Sequence, residues 1–231
     1  LPDSYWLAET MPVLAANARF MERADRRPDK TAPVTTLLRE ERGATLVTVY
    51  AEDRPGLFYR LAGAISLAGA NIIDARIHTT EDGMALDNFL IQDLRGLPFD
   101  DPHQLERLEA AVTAAAAGEE PKMDRLEAKA LPLPRAEAFP IRPAAFIDNK
   151  ASNRYTVVEV NARDRAALLS GLAQALSQSK TTIHSAHIAT YGERAVDVFY
   201  LTDLHGAKIE RPARLKTIRE RLLKAADCQV A

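Results

Sequence analysis

The sequence holds a single cysteine, Cys228, among 231 residues. Neither an intrachain disulfide nor a cysteine-rich metal site is therefore open to it, a usage that fits a reducing cytoplasm. It has almost no net charge, since 30 Lys and Arg stand against 32 Asp and Glu and leave −2. Without an excess of cations to neutralise phosphates, nucleic-acid binding is disfavoured. Long apolar runs are missing as well: none approaches the roughly 18 residues of a membrane helix, and no signal-peptide pattern opens the chain. An initiator methionine is also lacking, because the first residue is Leu1, and the expectation is a portion of a longer protein. Phosphate-loop and dinucleotide patterns are absent. What is there is 47% hydrophobic and 27% charged, the mixture of a globular chain long enough for one large or two small domains.

An internal repeat decides between these. A shift of 111 lays Asp53-Arg54 on Asp164-Arg165, Val47, Val49 and Ala51 on Val158, Val160 and Ala162, and Leu57, Leu61 and Ala64 on Leu168, Leu172 and Ala175. Ile72, Ala75, Ile77 and Thr79 then fall on Ile183, Ala186, Ile188 and Thr190. After one deletion in a turn, DNFLIQDLRG lies on DVFYLTDLHG and pairs Asp87 with Asp197. Matches at core and turn positions over about fifty residues mark two copies of one module.

Each copy opens on a β-branched strand, LVTVYA or TVVEVNA, with apolar residues at period two. A helix follows with Leu57, Leu61, Ala64, Ile65 and Ala68 at helical spacing and Gly69 to end it. Two strands come next, IIDARIHTT and MALDNFLIQD in one copy, IHSAHIATY and AVDVFYLTD in the other, and then a second helix from Pro102 or Pro212. A fourth strand would complete a ferredoxin-like βαββαβ sandwich, so the fold class is α+β. The candidate for that strand in the first copy is Ala144 to Ile147. In the second only DCQVA remains, which leaves either a very short strand or an early stop. The predicted division is a helical lead over 1–40, a first module over 41–148 with a Pro-rich insertion near 118–143, and a second module over 149–231. The lead predicts a helix from Asp3 to about Arg26 with Pro12 as a kink, its aromatics free to pack on a neighbouring domain. Apolar residues on both faces of the third strands, Leu90-Ile91 and Tyr200-Leu201, predict that a further sheet covers the face away from the helices.

The turn Asp53-Arg54-Pro55-Gly56-Leu57 joins a strand to a helix start, where unpaired N–H groups receive a carboxylate or phosphate. Gly56 permits close approach to the backbone. Asp53 can accept bonds from an ammonium group, and Asn71 offers both donor and acceptor. A free amino acid suits this set. The alternative is an ordinary capped turn, for which the same residue types are common.

The strings EDRPGLFYRLAGAISLAGANIIDARIHTTEDGMALDNFLIQD and ARDRAALLSGLAQALSQSKTTIHSAHIATYGERAVDVFYLTDLHG resemble ACT domains, regulatory modules that typically bind amino acids. With the opening LPDSYW, the linking FIDNKASNRYTVVEVNARDR and the tandem order, the chain resembles the bifunctional uridylyltransferase/uridylyl-removing enzymes that act on the PII signalling protein. The resemblance implies a C-terminal glutamine sensor in nitrogen signalling, with PII and the catalytic domains of the same parent chain as partners. It implies no catalytic residue or cofactor in this chain, the divalent metal and UTP belonging to domains elsewhere in the parent, and it allows ACT modules to form homo-oligomers. It also implies ligand positions at Asp53, Arg54, Pro55, Gly56 and Leu57 with Asn71, Ile72 and Ile73. Their counterparts are Asp164, Arg165, Ala166, Ala167 and Leu168 with Thr182, Ile183 and His184. Ala166-Ala167 stand where Pro-Gly is usual, so two β-carbons crowd the second loop and weaken the second site or reduce it to the wall of an interface pocket.

Other candidates are weaker. His184 and His187, three apart on a strand, are expected on opposite faces and so cannot chelate together. Asp87 and Asp197 lack the partner that acid–base work needs and read as polar anchors. The third strands lack the Lys/Arg-Gly-aromatic signature of RNA-binding modules of this topology. The competing class is an ACT-type interaction module that binds no ligand and only holds domains or subunits together.

Overall fold

The computed structural model describes residues 1, 5–6, 9–26, 34–39, 43–122, 141–165 and 167–227. Ala166, Cys228 and most of the Pro-rich run lie outside them. In chain order the elements are α1 (Met11–Asp25), β1 (Val34–Arg39), β2 (Ala44–Glu52), α2 (Leu57–Ala68), β3 (Asn71–Thr79), β4 (Met84–Gln92) and α3 (Pro102–Ala116). The second half adds β5 (Ala144–Asp148), β6 (Thr156–Arg163), α4 (Leu168–Gln178), β7 (Thr181–Tyr191), β8 (Arg194–Asp203) and α5 (Pro212–Ala226).

Local chemistry explains these boundaries. α2 ends at Gly69, whose φ of 95° lets its N–H reach the Ser66 carbonyl and the Ala70 N–H reach Ile65, a left-handed exit that suits glycine. α3 starts where the Asp101 carboxylate accepts from the Gln104 N–H at 2.9 Å and Pro102 needs no donor.

The two modules share one eight-stranded sheet in the order β1-β2-β4-β3-β7-β8-β6-β5, antiparallel throughout. Each half is the expected ferredoxin-like α+β sandwich, with its helices on one face. The strand in the fourth position comes from elsewhere than expected. β1, inside the predicted lead, pairs with β2, and β5 pairs with β6 of the second module instead of completing the first. Both outer strands therefore precede the strand they flank. A hairpin partner closes a short loop, whereas a strand arriving after the last helix closes a long one at greater entropic cost. The short connection after β5 is held by Asp148, which accepts from the Lys150 N–H at 2.6 Å, and by Lys208 Nζ on the Asn149 carbonyl at 2.6 Å.

The sheets join through β3 and β7, where Asp74, Ala75 and Arg76 pair with His187, Ala186 and Ser185. Ala75 and Ala186 are equivalent residues of the repeat and sit directly opposite each other, so a pseudo-twofold axis passes between them. Tyr59 and Ser170, also equivalent, meet on the same axis, the Ser170 hydroxyl donating to the Tyr59 carbonyl at 2.9 Å. One apolar core runs through both modules, including Leu61, Ile65, Phe89 and Leu108 in the first and Leu172, Leu176, Phe199 and Leu222 in the second.

On the other face of the first module lies α1, not a second sheet. Phe20 and Tyr5 pack against Tyr50 and Leu86, and the Asn17 amide donates to the Tyr5 hydroxyl at 3.1 Å. Burial of β2 at every position but Glu52 follows from cover on both sides. Pro12 sits in the first turn of α1 instead of kinking its middle. The lead's buried aromatics thus pack within the chain, while Trp6 stays 57% exposed. Phe20→Ala is expected to cost about 3–5 kcal/mol in urea unfolding, whereas Trp6→Ala should stay within about 0.5 kcal/mol.

Candidate functional site

The loop from Asp53 to Leu57 is held from two sides. The Asp53 N–H donates to the Gly83 carbonyl at 2.9 Å, and the Thr79 hydroxyl donates to Asp53 Oδ2 at 3.0 Å. The Leu57 N–H is taken by the Arg54 carbonyl at 3.0 Å, and the Arg60 N–H makes the first helical bond, to the Gly56 carbonyl at 3.2 Å. The Phe58 and Tyr59 N–H groups in this first turn have no intrahelical acceptor and carry the positive end of the α2 dipole. Gly56 enters the helix at φ 82°. A β-carbon there would collide with the Tyr59 ring and lie 3.1 Å from Arg60 Nη1, so space as well as conformation favours glycine.

This loop forms one wall of a cleft of about 370 Å³ between the modules. Ile77, Thr79, Ala85 and Asp87 of the first module line it below, and Ser177, Lys180, Thr181, Thr182 and Ile183 of the second close the far side. The volume suits a small molecule. Arg54 is turned toward Glu52 at 2.6 Å. Tyr59 donates its hydroxyl to Glu120 at 2.7 Å, and burial followed by that carboxylate raises its pKa. Asp87 is 1% exposed, and its Oδ1 has no hydrogen-bond partner. Burial, and then the charge of Asp53, pushes its pKa well above the usual carboxylate range.

The second loop repeats the backbone without the cleft residues. Asp164 N–H donates to the Glu193 carbonyl at 2.8 Å, and Leu168 N–H to Arg165 at 3.2 Å. Ala167 takes the conformation of Gly56, with φ 66°, and is buried. Arg165 Nη2 donates to the Ala225 carbonyl at 2.7 Å. Asp197 recurs beneath this loop, 1% exposed with Oδ1 unpartnered; burial, then Asp164, raises its pKa to about 7.

Of the positions carried over from the resemblance, Asp53 to Leu57, Thr182 and Ile183 come together at the 370 Å³ cleft. Asn71, Ile72 and Ile73 lie at the equivalent start of β3, across the pseudo-axis, and neither they nor Asp164, Arg165, Ala167 and Leu168 line that cleft. Ala166 is outside the described residues. His184 is elsewhere: its Nε2 is 2.9 Å from the Thr202 hydroxyl, and its ring packs on Tyr155. Burial first, then the charges of Arg154 and His78, lowers its pKa to about 4. An irregularity between Ile183 and Ser185 inserts one residue into β7. It brings His184 to the face shared by His187, which packs on Tyr200, and so corrects the period-two expectation. Among the described residues no three His, Cys, Asp or Glu side chains cluster as metal ligands. Sequence reasoning missed Asp87, Thr79 and Lys180 as cleft residues. Only the recurrence of Asp87 as Asp197 pointed to the first of them.

Residues 45–112 match the ACT domain, and residues 151–229 match the ACR family N-terminal ACT domain. The chain is 52% identical to the bifunctional uridylyltransferase/uridylyl-removing enzyme of Novosphingobium aromaticivorans and 53% identical to that of Erythrobacter litoralis, over 98% of this chain and 25% of each relative. Identity to the Zymomonas mobilis enzyme is 48%, over 98% of this chain and 24% of the relative. The chain spans about a quarter of the length of these curated relatives. No helix among the described residues is long and apolar enough to cross a membrane.

Two stability outcomes follow. Ala167→Gly relieves a left-handed alanine worth about 1–2 kcal/mol against a glycine entropy cost of about 0.5–1 kcal/mol, so the urea midpoint should rise modestly. For Asp197 the folded pKa of about 7 stands above the ordinary 3.8. The native state keeps a proton that the unfolded state has lost, so this residue's contribution is full below about pH 4 and disappears as pH rises to about 7. Asp197→Asn should therefore gain on the wild type progressively between those pH values, read as the difference in unfolding free energy.

Proposed function

The chain belongs to the ACT-domain family, as a tandem pair of the kind found in bifunctional uridylyltransferase/uridylyl-removing enzymes, and we propose that it senses glutamine for such an enzyme. The observation that carries this reading is the cleft between the modules, walled by the 53–57 loop on one side and the start of β7 on the other. The loop offers free N–H groups and a helix dipole to a carboxylate, and Asp53 and Asp87 offer acceptors to an ammonium group. Ser177, Thr181 and Thr182 of the second module supply hydroxyls near the far wall, suited to a side-chain amide. On this reading the transfer and removal of uridylyl groups on PII, with the divalent metal and UTP they need, belong to parts of the parent chain beyond these 231 residues. Glutamine would favour removal.

A signal requires that the ligand prefer one arrangement of the modules to another. β3 offers the mechanical link. Ile77 and Thr79 line the cleft, while Arg76 and His78 on the opposite face lie 3.2 and 3.5 Å from Glu9, just before α1. Burial opposes ionisation of Glu9, but the proximity of His78, the Arg76 charge and the Asn88 hydrogen bond outweigh it and hold its pKa low. Ligand closure on one face of β3 would thus strain or relieve the seating of the lead on the other.

A thermal-shift screen of the common amino acids should give a selective rise with glutamine. In calorimetry, Gly56→Val and Asp53→Ala should each weaken glutamine binding about tenfold or more. Wild-type affinity in both variants would sink the loop assignment. No shift with any amino acid would leave the pair as a binding-silent interaction module.

A further inference from the structure

Asp87 is a carboxylate that the fold itself does not use. It sits on β4 opposite Val49 of β2 and Ile77 of β3, with apolar Ala85 and Phe89 two residues to either side on the same face. Its exposure is 1% and Oδ1 has no partner, yet the side chain lines the cleft. A buried acceptor left empty is costly, and it becomes satisfied when a donor enters from the cleft. The other acidic group there, Asp53, already accepts the Thr79 hydroxyl through Oδ2. The cations nearby do not neutralise Asp87. Arg54 bonds Glu52, and Arg60 bonds the Pro55 carbonyl and stands 3.6 Å from Glu120. Lys180 reaches the cleft from the second module, without an ion pair to Asp87.

Resting on the amino-acid reading of this cleft, we propose that Asp87 receives the ligand's α-ammonium group and admits only ligands with a free, protonated amine. The α-carboxylate then lies toward the Phe58 and Tyr59 N–H groups, at the other side of the loop. Burial and then the neighbouring Asp53 raise the Asp87 pKa and favour its protonated form in the empty site. Where Asp87 carries a proton, binding exchanges it for the ammonium: the Asp87 O–H bond breaks, the proton leaves to solvent, and the carboxylate pairs with the ligand's –NH₃⁺. No other co-reactant is needed. The affinity should consequently rise with pH until Asp87 ionises in the empty site. Asp197, equally buried beneath the second loop but not lining this cleft, is the internal control.

The test is calorimetric titration of the 231-residue chain with glutamine at pH 7, in phosphate and in Tris. The wild type should release protons on binding, seen as a difference in heat between the buffers. Asp87→Asn should bind about tenfold or more weakly and release none, and Asp197→Asn should keep both properties. N-acetylglutamine, which lacks the ammonium group, should give no binding to the wild type, a result that decides the matter even if the Asp87 variant fails to fold. Unchanged affinity and proton release in Asp87→Asn, or N-acetylglutamine binding as tightly as glutamine, would overturn the assignment while leaving glutamine sensing intact. Absence of any glutamine heat in the wild type would remove both readings together.

Discussion

The antiparallel pairing of β3 with β7 joins two half-sheets whose edges would otherwise present unpaired N–H and C=O groups to water. Placing Ala75 against Ala186 makes the joint symmetric in the repeat. It also brings the N-terminal turn of α2 to the C-terminal end of α4 and the start of β7, which is how the cleft comes to have walls from both modules. A single module would carry the loop but no opposite wall. The small side chains at the seam let the helices above it approach until the Ser170 hydroxyl reaches the Tyr59 carbonyl.

Symmetry of the backbone is not matched by symmetry of the chemistry. Gly56 and Ala167 enter their helices through the same left-handed conformation, but only glycine does so without a β-carbon to place. The Tyr59 ring uses the space that this leaves free. Both loops stand above a buried carboxyl with an empty acceptor, Asp87 or Asp197, yet the 370 Å³ cleft belongs to the first. Duplication supplied two equivalent frames, and substitution at a few loop positions made them unequal.

Much of this is legible in the sequence. The repeat, the strand and helix stripes and the Asp53–Leu57 turn follow from periodicity and turn chemistry, which act over a few residues. Three features were not legible. The outer strands β1 and β5 pair with the strand that follows them, since an edge position accepts a partner from either direction along the chain. The irregularity before Ser185 reverses the expected side of His184, and a one-residue insertion leaves no mark in an alternating pattern of half-buried residues. The cover on β2 is the α1 helix and not a second sheet, because apolar residues on both faces of a strand report burial without saying what buries them.

The sequence by itself determined that there are two ACT-type modules and which turn in each joins the first core strand to a helix start. These are properties of segments short enough for local sterics and hydrogen bonding to govern. The tertiary structure alone decided that the positions implied by the resemblance do not form two equivalent sets. It put Thr182 and Ile183 across from Asp53 to Leu57 in one cleft, sent His184 to the opposite face, and turned Asp87 from a strand anchor into an empty acceptor. The physical reason is that a binding site is a meeting of surfaces far apart in the chain, and only the register of β3 on β7 says which surfaces meet.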